Sequence, residues 1–456
     1  MTDRQTVAAI STPNAAGGIG IIRVSGEKAT EICDRIFKGV SGEKLVSSKG
    51  YRAHFGRVFD KDEDIDECVA LVFRAPHSYT GEDVVELNCH GGLYLLKRVL
   101  RSVLNEGASP AKPGEFTQRA FLNGKIDLTQ AQAVMDLISA EGKQSANAAL
   151  NALDGALSRE TQKVSAELSS CCAKLCAWVD YPDDEIEEVS REEFFDCLQN
   201  ARLSLEKLIK GFDTGKAITH GVNAVIAGKP NVGKSTLMNL LSGSKKSIVS
   251  EYAGTTRDAV EETVIVGDTV LHLTDTAGLR DSENPVEAIG VEIAREKLER
   301  ATLVLAVFDS SGKIDGEDIK LLKSCADKKA VAVINKCDLT NEFDKSEIEK
   351  YISTTVEISA KEGTGKEELD KAVASVLGTE DFDTSCAMLT TERQYQCVLK
   401  ALDCVNEAIS SLNEGFTLDA VNVSVDCAVE NLEELTGKKA SEKVVEEIFS
   451  RFCVGK

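Results

Sequence analysis

The segment "NAVIAGKPNVGKSTLMNLL" constrains this chain more than any other. Gly228 to Ser235 fit G-x-x-x-x-G-K-[ST], and the setting is the one the pattern requires. Asn223 to Ala227 form a short β-branched run that reads as a strand, and an apolar-periodic helix follows the loop. Glycines at that junction let backbone N–H groups wrap phosphate oxygens at a helix N-terminus. Lys234 then neutralises β- and γ-phosphates, and the Ser235 hydroxyl ligates Mg²⁺. Asn231, Val232, Gly233 and Thr236 complete the loop's expected contacts with the nucleotide.

Four further stretches stand in the order a nucleotide switch needs. "AGTTRD" (Ala253 to Asp258) places Thr hydroxyls in a loop, and Ser250, Glu251, Tyr252, Ala253, Gly254, Thr255 and Thr256 are the expected contacts, with Thr256 on Mg²⁺. "VLHLTDTAG" ends a predicted strand at Asp275, whose carboxylate suits the Mg²⁺ shell, while the N–H of Gly278, beyond Thr276 and Ala277, reaches the γ-phosphate. "AVAVINKCD" ends another strand with Asn335, Lys336, Cys337 and Asp338. A carboxylate accepts from guanine's ring N–H and amine together, whereas adenine offers an acceptor at the ring nitrogen, so Asp338 selects GTP over ATP. Ser359, Ala360 and Lys361 of "ISAKEG" close the base pocket. Strand and helix patterns alternate from about residue 217 to 377, which predicts a doubly wound, mostly parallel α/β sheet of the P-loop GTPase (Ras-like) class.

These motifs resemble the translation-factor-related GTPases, with two departures from the small signalling members. Leu279 follows "DTAG" where those proteins carry a water-orienting glutamine. An apolar side chain cannot hold a water, so the next loop, with Asp281, Glu283 and Glu287, supplies the candidates. Asn231 stands where cation-activated members hold a potassium ion. That likeness implies K⁺ bound by Asn231, the Ser250 and Tyr252 carbonyls and Thr255.

At 456 residues the chain is too long for one ordinary core, so several domains are expected. "TERQYQCVLKALDCVNEAISSL" carries Tyr395, Val398, Leu399, Leu402, Val405, Ile409 and Leu412 on one helical stripe. Residues from about 128 to 212 are also mostly helix-forming. Neither segment buries its stripes alone, which predicts one discontinuous all-α domain with the GTPase inserted in it. Residues 1–118 carry short strands such as "GIGIIRVS" and "CVALVFRAP" and read as an α+β domain. A strand follows the glycines of "GGIGIIRVSG", so no dinucleotide site is expected there. Cys89 and His90 are sequence neighbours, and neighbours seldom form a nucleophile and base. The expected boundaries are 1–118, 119–216, 217–377 and 378–456.

Net charge is −22, from 53 Lys and Arg against 75 Asp and Glu, which argues against a broad nucleic-acid-binding face. The acidic run Asp180 to Asp196 reads as a solvated helix face. The N-terminal "MTDRQTVAAISTPNAAGG" lacks a secretory signal and no apolar stretch approaches a membrane span, so a cytoplasmic chain is expected. The 14 cysteines then read as reduced thiols. No C-x-x-C pair occurs and the 5 histidines are scattered. Cys171, Cys172 and Cys176 follow helical spacing with Leu168, Leu175 and Val179, and read as small buried helix residues.

The order of parts, with "SYTGEDVVELNCHGG", "PGEFTQRAFLNGKIDLTQAQAVMDLI", "DYPDDEIE" and the final "CVGK", resembles the MnmE (TrmE) family of tRNA-modification GTPases along the whole chain. The resemblance implies dimerisation through residues 1–118, a 5-formyltetrahydrofolate or related one-carbon tetrahydrofolate bound there, and work with the flavoprotein MnmG (GidA). It implies an aminomethyl-type group added to wobble uridine of certain tRNAs. Arg23, Glu86, Lys125 and Lys456 are the implied folate contacts; taken alone they are surface charges whose types suit a pterin and a glutamate tail. Glu287 stands twelve residues after Asp275, as in the family, and is the implied water-orienting group. A GTP-dependent ribosome-assembly switch of the same superfamily is the alternative reading; it would need neither the folate residues nor "CVGK".

Cys453 has several readings. Gly455 and Lys456 do not suit a prenylation box, and no Cys or His lies near enough in sequence for a metal. Val445, Ile448, Phe449 and Phe452 form an apolar stripe of which Cys453 could be the frayed end. The family resemblance favours a working thiol, with the tail delivered to the folate site across the dimer.

Overall fold

The structure, a computed structural model, describes residues 5–61, 63–180, 190–243, 261–275, 298–339, 344–380 and 382–456. The chain divides into two compact units, Met1–Met135 with Val429–Lys456, and Asp136–Ala428. The last 28 residues of the chain (429 to 456) compact with the N-terminal part.

In the first unit β1 (Val7–Ile10), β2 (Ile19–Ser25), β3 (Phe37–Gly39), β4 (Arg52–Asp60), β5 (Glu63–Phe73), β6 (Val84–His90) and β7 (Ser109–Pro110) form a sheet of order β3-β4-β5-β6-β2-β1-β7. Only β1 and β7 pair in parallel. Helices α1 (Ala29–Ile36) and α2 (Leu93–Asn105) cover one face. Strand side chains alternate between faces, so Ile22 and Val24 of β2 and Val85 and Leu87 of β6 join Leu96 and Val99 in the core. Each such buried side chain contributes roughly 1.5–3 kcal/mol. Arg23 and Glu86 fall on the other face, directly opposite one another in the β2/β6 register. Alternation also separates Cys89 from His90. Cys89 is buried against Cys68, whose hydrogen bond and the burial itself push the Cys89 thiol far up. His90 is exposed and bonded to Asp66 at 2.7 Å, so the two side chains cannot act on one substrate atom. Helix α3 (Glu115–Leu122) follows β7 and leads to α4 (Leu128–Ser139).

The second unit begins with helices α5 (Lys143–Leu153), α6 (Ala156–Asp180), α7 (Arg191–Lys210) and α8 (Phe212–His220). Ser190 caps α7, its hydroxyl accepting from the Glu193 N–H at 3.1 Å. Part of the acidic run, 181–189, lies outside the described residues. The α/β layer then follows as β8 (Val222–Ala227), α9 (Lys234–Gly243), β9 (Glu261–Val266), β10 (Thr269–Asp275), β11 (Leu303–Asp309), α10 (Gly316–Cys325), β12 (Lys329–Asn335), α11 (Ser346–Glu349), β13 (Thr355–Glu357) and α12 (Lys366–Leu377). Its order is β13-β12-β11-β8-β10-β9, with β9 alone antiparallel. Central strands are covered on both sides. In "LVLAVFD" Leu303, Leu305 and Val307 enter one core and Val304, Ala306 and Phe308 the other, which is why the strand reads as a continuous apolar run.

The expected insertion is visible in the packing of α7 along α13 (Glu392–Asn413), helices on either side of the sheet in sequence. The α13 stripe buries Val398, Leu402, Val405, Ile409 and Leu412, while Tyr395 stacks on Phe212 at 4.5 Å. Of the cysteine trio, Cys172 is buried and Cys171 half-buried on α6; the Cys176 side chain lies outside the described residues. Among the described residues no three His, Cys, Asp or Glu side chains gather as metal ligands, and no helix is long and apolar enough to cross a membrane.

The chain rejoins the first unit at Val429, within α14 (Leu418–Thr436), and goes on to α15 (Glu442–Ser450), capped by Ser441. Phe449 of α15 lies 6.2 Å from Phe121 of α3 and 5.2 Å from Phe452, ring to ring, which seats the end of the helix on α3.

Candidate functional site

Two constellations collect the predicted residues. The first lies at the carboxyl ends of β8 and β12, where open α/β sheets place their ligands. Residues 228–233 make the turn from β8 into α9. Asn231 (φ 64°) and Gly233 (φ 95°) are both left-handed, a conformation Asn tolerates and Gly adopts freely. Gly233 is also needed for space, since a Cβ there would stand 2.2 Å from the Asn335 amide nitrogen. Ser235 and Thr236 are exposed on the first turn of α9, where unpaired backbone N–H groups favour anions. The Lys234 ammonium donates to the carbonyls of Gly228 (3.0 Å) and Lys229 (2.7 Å).

Asn335 fastens two loops together. It is 2% exposed; its Nδ2 donates to the Val232 carbonyl and its Oδ1 accepts from the Ala360 N–H, both at 2.9 Å. One side chain thus ties the phosphate loop to the base-pocket loop. Asp338 is exposed, and its carboxylate accepts from the Ser359 hydroxyl at 2.6 Å. That bond holds the Asp338 carboxyl below the usual carboxylate range, so the group is charged at neutral pH. Lys336, left-handed at φ 66°, pairs with Asp309 at 2.6 Å, and its carbonyl accepts from Ser310. The half-buried Cys337 thiol donates to the Ile334 carbonyl and burial pushes it up, while Lys361 is exposed on the neighbouring loop.

Asp275 ends β10 beside Ile226 of β8, so its backbone stands at the end of the strand adjoining the phosphate loop. Ser250, Glu251, Tyr252, Ala253, Gly254, Thr255, Thr256, Thr276, Ala277, Gly278, Leu279, Asp281, Glu283 and Glu287 lie outside the described residues.

The second constellation lies in the first unit. Arg23 Nε donates to Glu86 Oε1 at 2.9 Å, and both side chains are largely buried. Arg23 also lies over the Tyr79 and Phe116 rings, 5.2 and 5.5 Å from their centres. The last residues of the chain pack against this pair. The Gly455 carbonyl accepts from Ser11 Oγ at 2.9 Å and Arg23 Nη1 at 3.4 Å. Backbone N–H groups of Gly114 and Phe116 donate to the carbonyls of Cys453 and Lys456, at 3.3 and 3.2 Å. Gly455 has φ 98°, and a Cβ there would stand 2.3 Å from the Ile10 carbonyl oxygen, so only glycine passes. The half-buried Lys456 ammonium is pulled down by burial and then by Arg23, against the opposing pull of Glu86.

The structure therefore brings Arg23, Glu86 and Lys456 together, with the half-buried Cys453 three residues from Lys456. Lys125 is exposed, its ammonium donating to the Pro76 carbonyl at 3.2 Å. One reading of the tail is corrected. It is no frayed helix end, because three backbone carbonyls between 453 and 456 are bonded to the N-terminal part. Seating α15 on α3 leaves residues 453–456 against the end of β1. Sequence reasoning missed Tyr79, Ser11 and Phe116. Tyr79 hydrogen-bonds Thr117 at 2.8 Å and supports Arg23 by its ring face, a role that no local pattern in "SYTGED" announces.

Comparison with known proteins agrees along the chain. Residues 128–453 match the MnmE helical domain family, and residues 6–125 match the family described as GTP-binding protein TrmE N-terminus. The tRNA modification GTPase MnmE of Acetivibrio thermocellus is 40% identical over 461 aligned positions, covering 100% of both chains. That of Alkaliphilus metalliredigens is 40% identical over 460, covering 99% of each.

Proposed function

The chain belongs to the MnmE family of tRNA modification GTPases, and from that premise we propose that it hydrolyses GTP to drive a complex with the flavoprotein MnmG that adds an aminomethyl or carboxymethylaminomethyl group to C5 of wobble uridine. The observation that supports the modification half is the meeting of the Cys453–Lys456 tail with Arg23 and Glu86, a half-buried polar cluster that nucleotide hydrolysis does not use. Its donor set fits a one-carbon tetrahydrofolate: Glu86 accepts from an amine edge, and Arg23 and Lys456 attract carboxylates. Lys125 would meet the same ligand from the loop beside Tyr79. When bound, the folate supplies the one-carbon unit. In this reading residues 1–118 also form a homodimer, residues 119–216 and 378–456 make the helical domain around the GTPase domain at 217–377, and the protein works in the cytoplasm. An acidic chain meets tRNA largely through the complex. Nucleoside mass spectrometry on tRNA from cells with and without the chain tests the proposal. Loss of the wobble modification is expected; unchanged nucleosides would remove it.

For GTP, the exposed Ser235 at the α9 N-terminus would hold Mg²⁺ together with Thr256, which lowers the charge barrier between the phosphates. The exposed, left-handed Asn231 suits a cation at the outer edge of the phosphate loop, with Ser250, Tyr252 and Thr255 as the other ligands. Hydrolysis is expected to rise when sodium is replaced by potassium at equal ionic strength, since an ion there stabilises charge developing between the β- and γ-phosphates. Asn231→Ala should lose the difference, and equal rates in both salts for the parent chain would count against this site.

Glu287 is the proposed water-orienting group. Glu287→Ala should lower kcat by about a hundredfold with nucleotide affinity retained, the signature of a group acting in the transition state. If Glu283→Ala alone had that effect, the role would belong to the other carboxylate.

A further inference from the structure

The phosphate loop holds two left-handed residues within three positions, and at the non-glycine Asn231 such backbone persists only where its surroundings fix it. Its second half is fixed by the Asn335 amide on the Val232 carbonyl. Its first half is fixed by a tie that neither base nor phosphate recognition explains. Lys229 Nζ stands 2.7 Å from a carboxylate oxygen of Asp315 and 2.7 Å from one of Asp318. These acids begin α10. Asp315 is its N-cap, accepting from the Glu317 and Asp318 N–H groups, and Asp318 accepts in return from the Asp315 N–H. The Asp318 side chain is only 5% exposed, so Lys229 supplies a cation to a nearly buried anion.

Lys229 also governs the catalytic lysine. Its carbonyl, with that of Gly228, is where the Lys234 ammonium rests. An ammonium carries three donors, so the carbonyls that hold Lys234 also set where it can point toward β- and γ-phosphates. A loop free to move would shift those carbonyls, and the lysine with them, relative to the ring of N–H groups that phosphate oxygens must enter.

We propose that Lys229 is a positioning residue for guanine nucleotides: bridged to Asp315 and Asp318, it holds the first half of the phosphate loop against α10 so that the nest stays open and Lys234 stays aimed into it. This rests on the GTPase reading and adds a residue to it. The tie acts on the loop rather than on the γ-phosphate, so it serves GDP and GTP alike and leaves the hydrolytic step alone.

The test measures binding of fluorescent GDP and a non-hydrolysable GTP analogue, and kcat for GTP, on the full chain. Lys229→Ala should weaken both nucleotides about tenfold, as loss of a charged hydrogen-bonded tie would, with kcat at saturation retained. Lys229→Arg should bind normally. Asp315→Asn separates the tie from helix capping, because Asn caps as well as Asp; on its own it should weaken binding several-fold. The Asp315→Asn, Asp318→Asn pair should match Lys229→Ala, and adding Lys229→Ala to that pair should weaken binding no further, since the three act as one unit. Affinities within twofold of the parent in Lys229→Ala, or full additivity in the triple variant, would overturn the proposal. If Lys229→Ala fails to fold, Asp315→Asn decides: unchanged affinity overturns the proposal. Failure of the GTPase reading would show separately, as a parent chain that binds no guanine nucleotide.

Discussion

Asp338→Asn is expected to weaken GTP binding by about a hundredfold or more and to shift preference to xanthosine triphosphate. Asn335 and Asp338 stand three residues apart, yet the structure gives them different work. Asn335 joins the phosphate and base-pocket loops from a buried position, so its replacement would disorganise both. Asp338 is exposed and its carboxylate is held by the Ser359 hydroxyl rather than by the phosphate loop, so its replacement is expected to change recognition. An amide at 338 presents an N–H where guanine also presents one; xanthine presents a carbonyl there instead. Competition binding with GTP and xanthosine triphosphate measures the shift, and unchanged GTP affinity would sink the assignment. The sign of the pH dependence follows from the depressed Asp338 carboxyl. A group whose acidity is raised in the fold loses its charge only as pH falls below the ordinary carboxylate range of about 4, so guanine preference should be flat from about pH 5 to 8.

Cys453→Ser is expected to abolish wobble-uridine modification while GTP hydrolysis stays near normal. Backbone carbonyls hold the tail, the Cys453 carbonyl accepting from the Gly114 N–H, and exchanging sulfur for oxygen leaves those bonds in place. Loss of modification would then report on the thiol itself. Gly455→Val provides the contrast. A side chain at 455 collides with the Ile10 carbonyl and strains a positive φ, which should unseat the tail from Ser11 and Arg23. Limited proteolysis should release the last residues of that variant, and modification should fall with its thiol still present. Normal modified-nucleoside levels with Cys453→Ser would make the thiol structural; normal levels with Gly455→Val would remove the need for docking.

Much of this was legible in the sequence. Strand β11 reads as buried on both faces because every residue from Leu303 to Phe308 is apolar, and the α13 stripe follows a 3.6-residue period. Cys89 and His90 were separable by the two-residue period of a strand. The tail was harder. "CVGK" signals that these residues matter, but nothing in it says that they meet β1, or that Gly455 is there to admit the Ile10 carbonyl.

The sequence by itself determined the GTPase chemistry, because that chemistry resides in short contiguous segments. Gly233, Lys234 and Ser235 act through the conformation of their own loop and the helix it opens, and local backbone preference encodes both. Only the tertiary structure decided which distant segments share a site. Arg23 meets Gly455 across 432 residues of chain and Glu86 across 63, and Lys229 meets Asp315 across 86. Such meetings depend on strand register and on which apolar faces bury one another. No local pattern carries that information, because the free energy that selects it is released only when the separate segments pack.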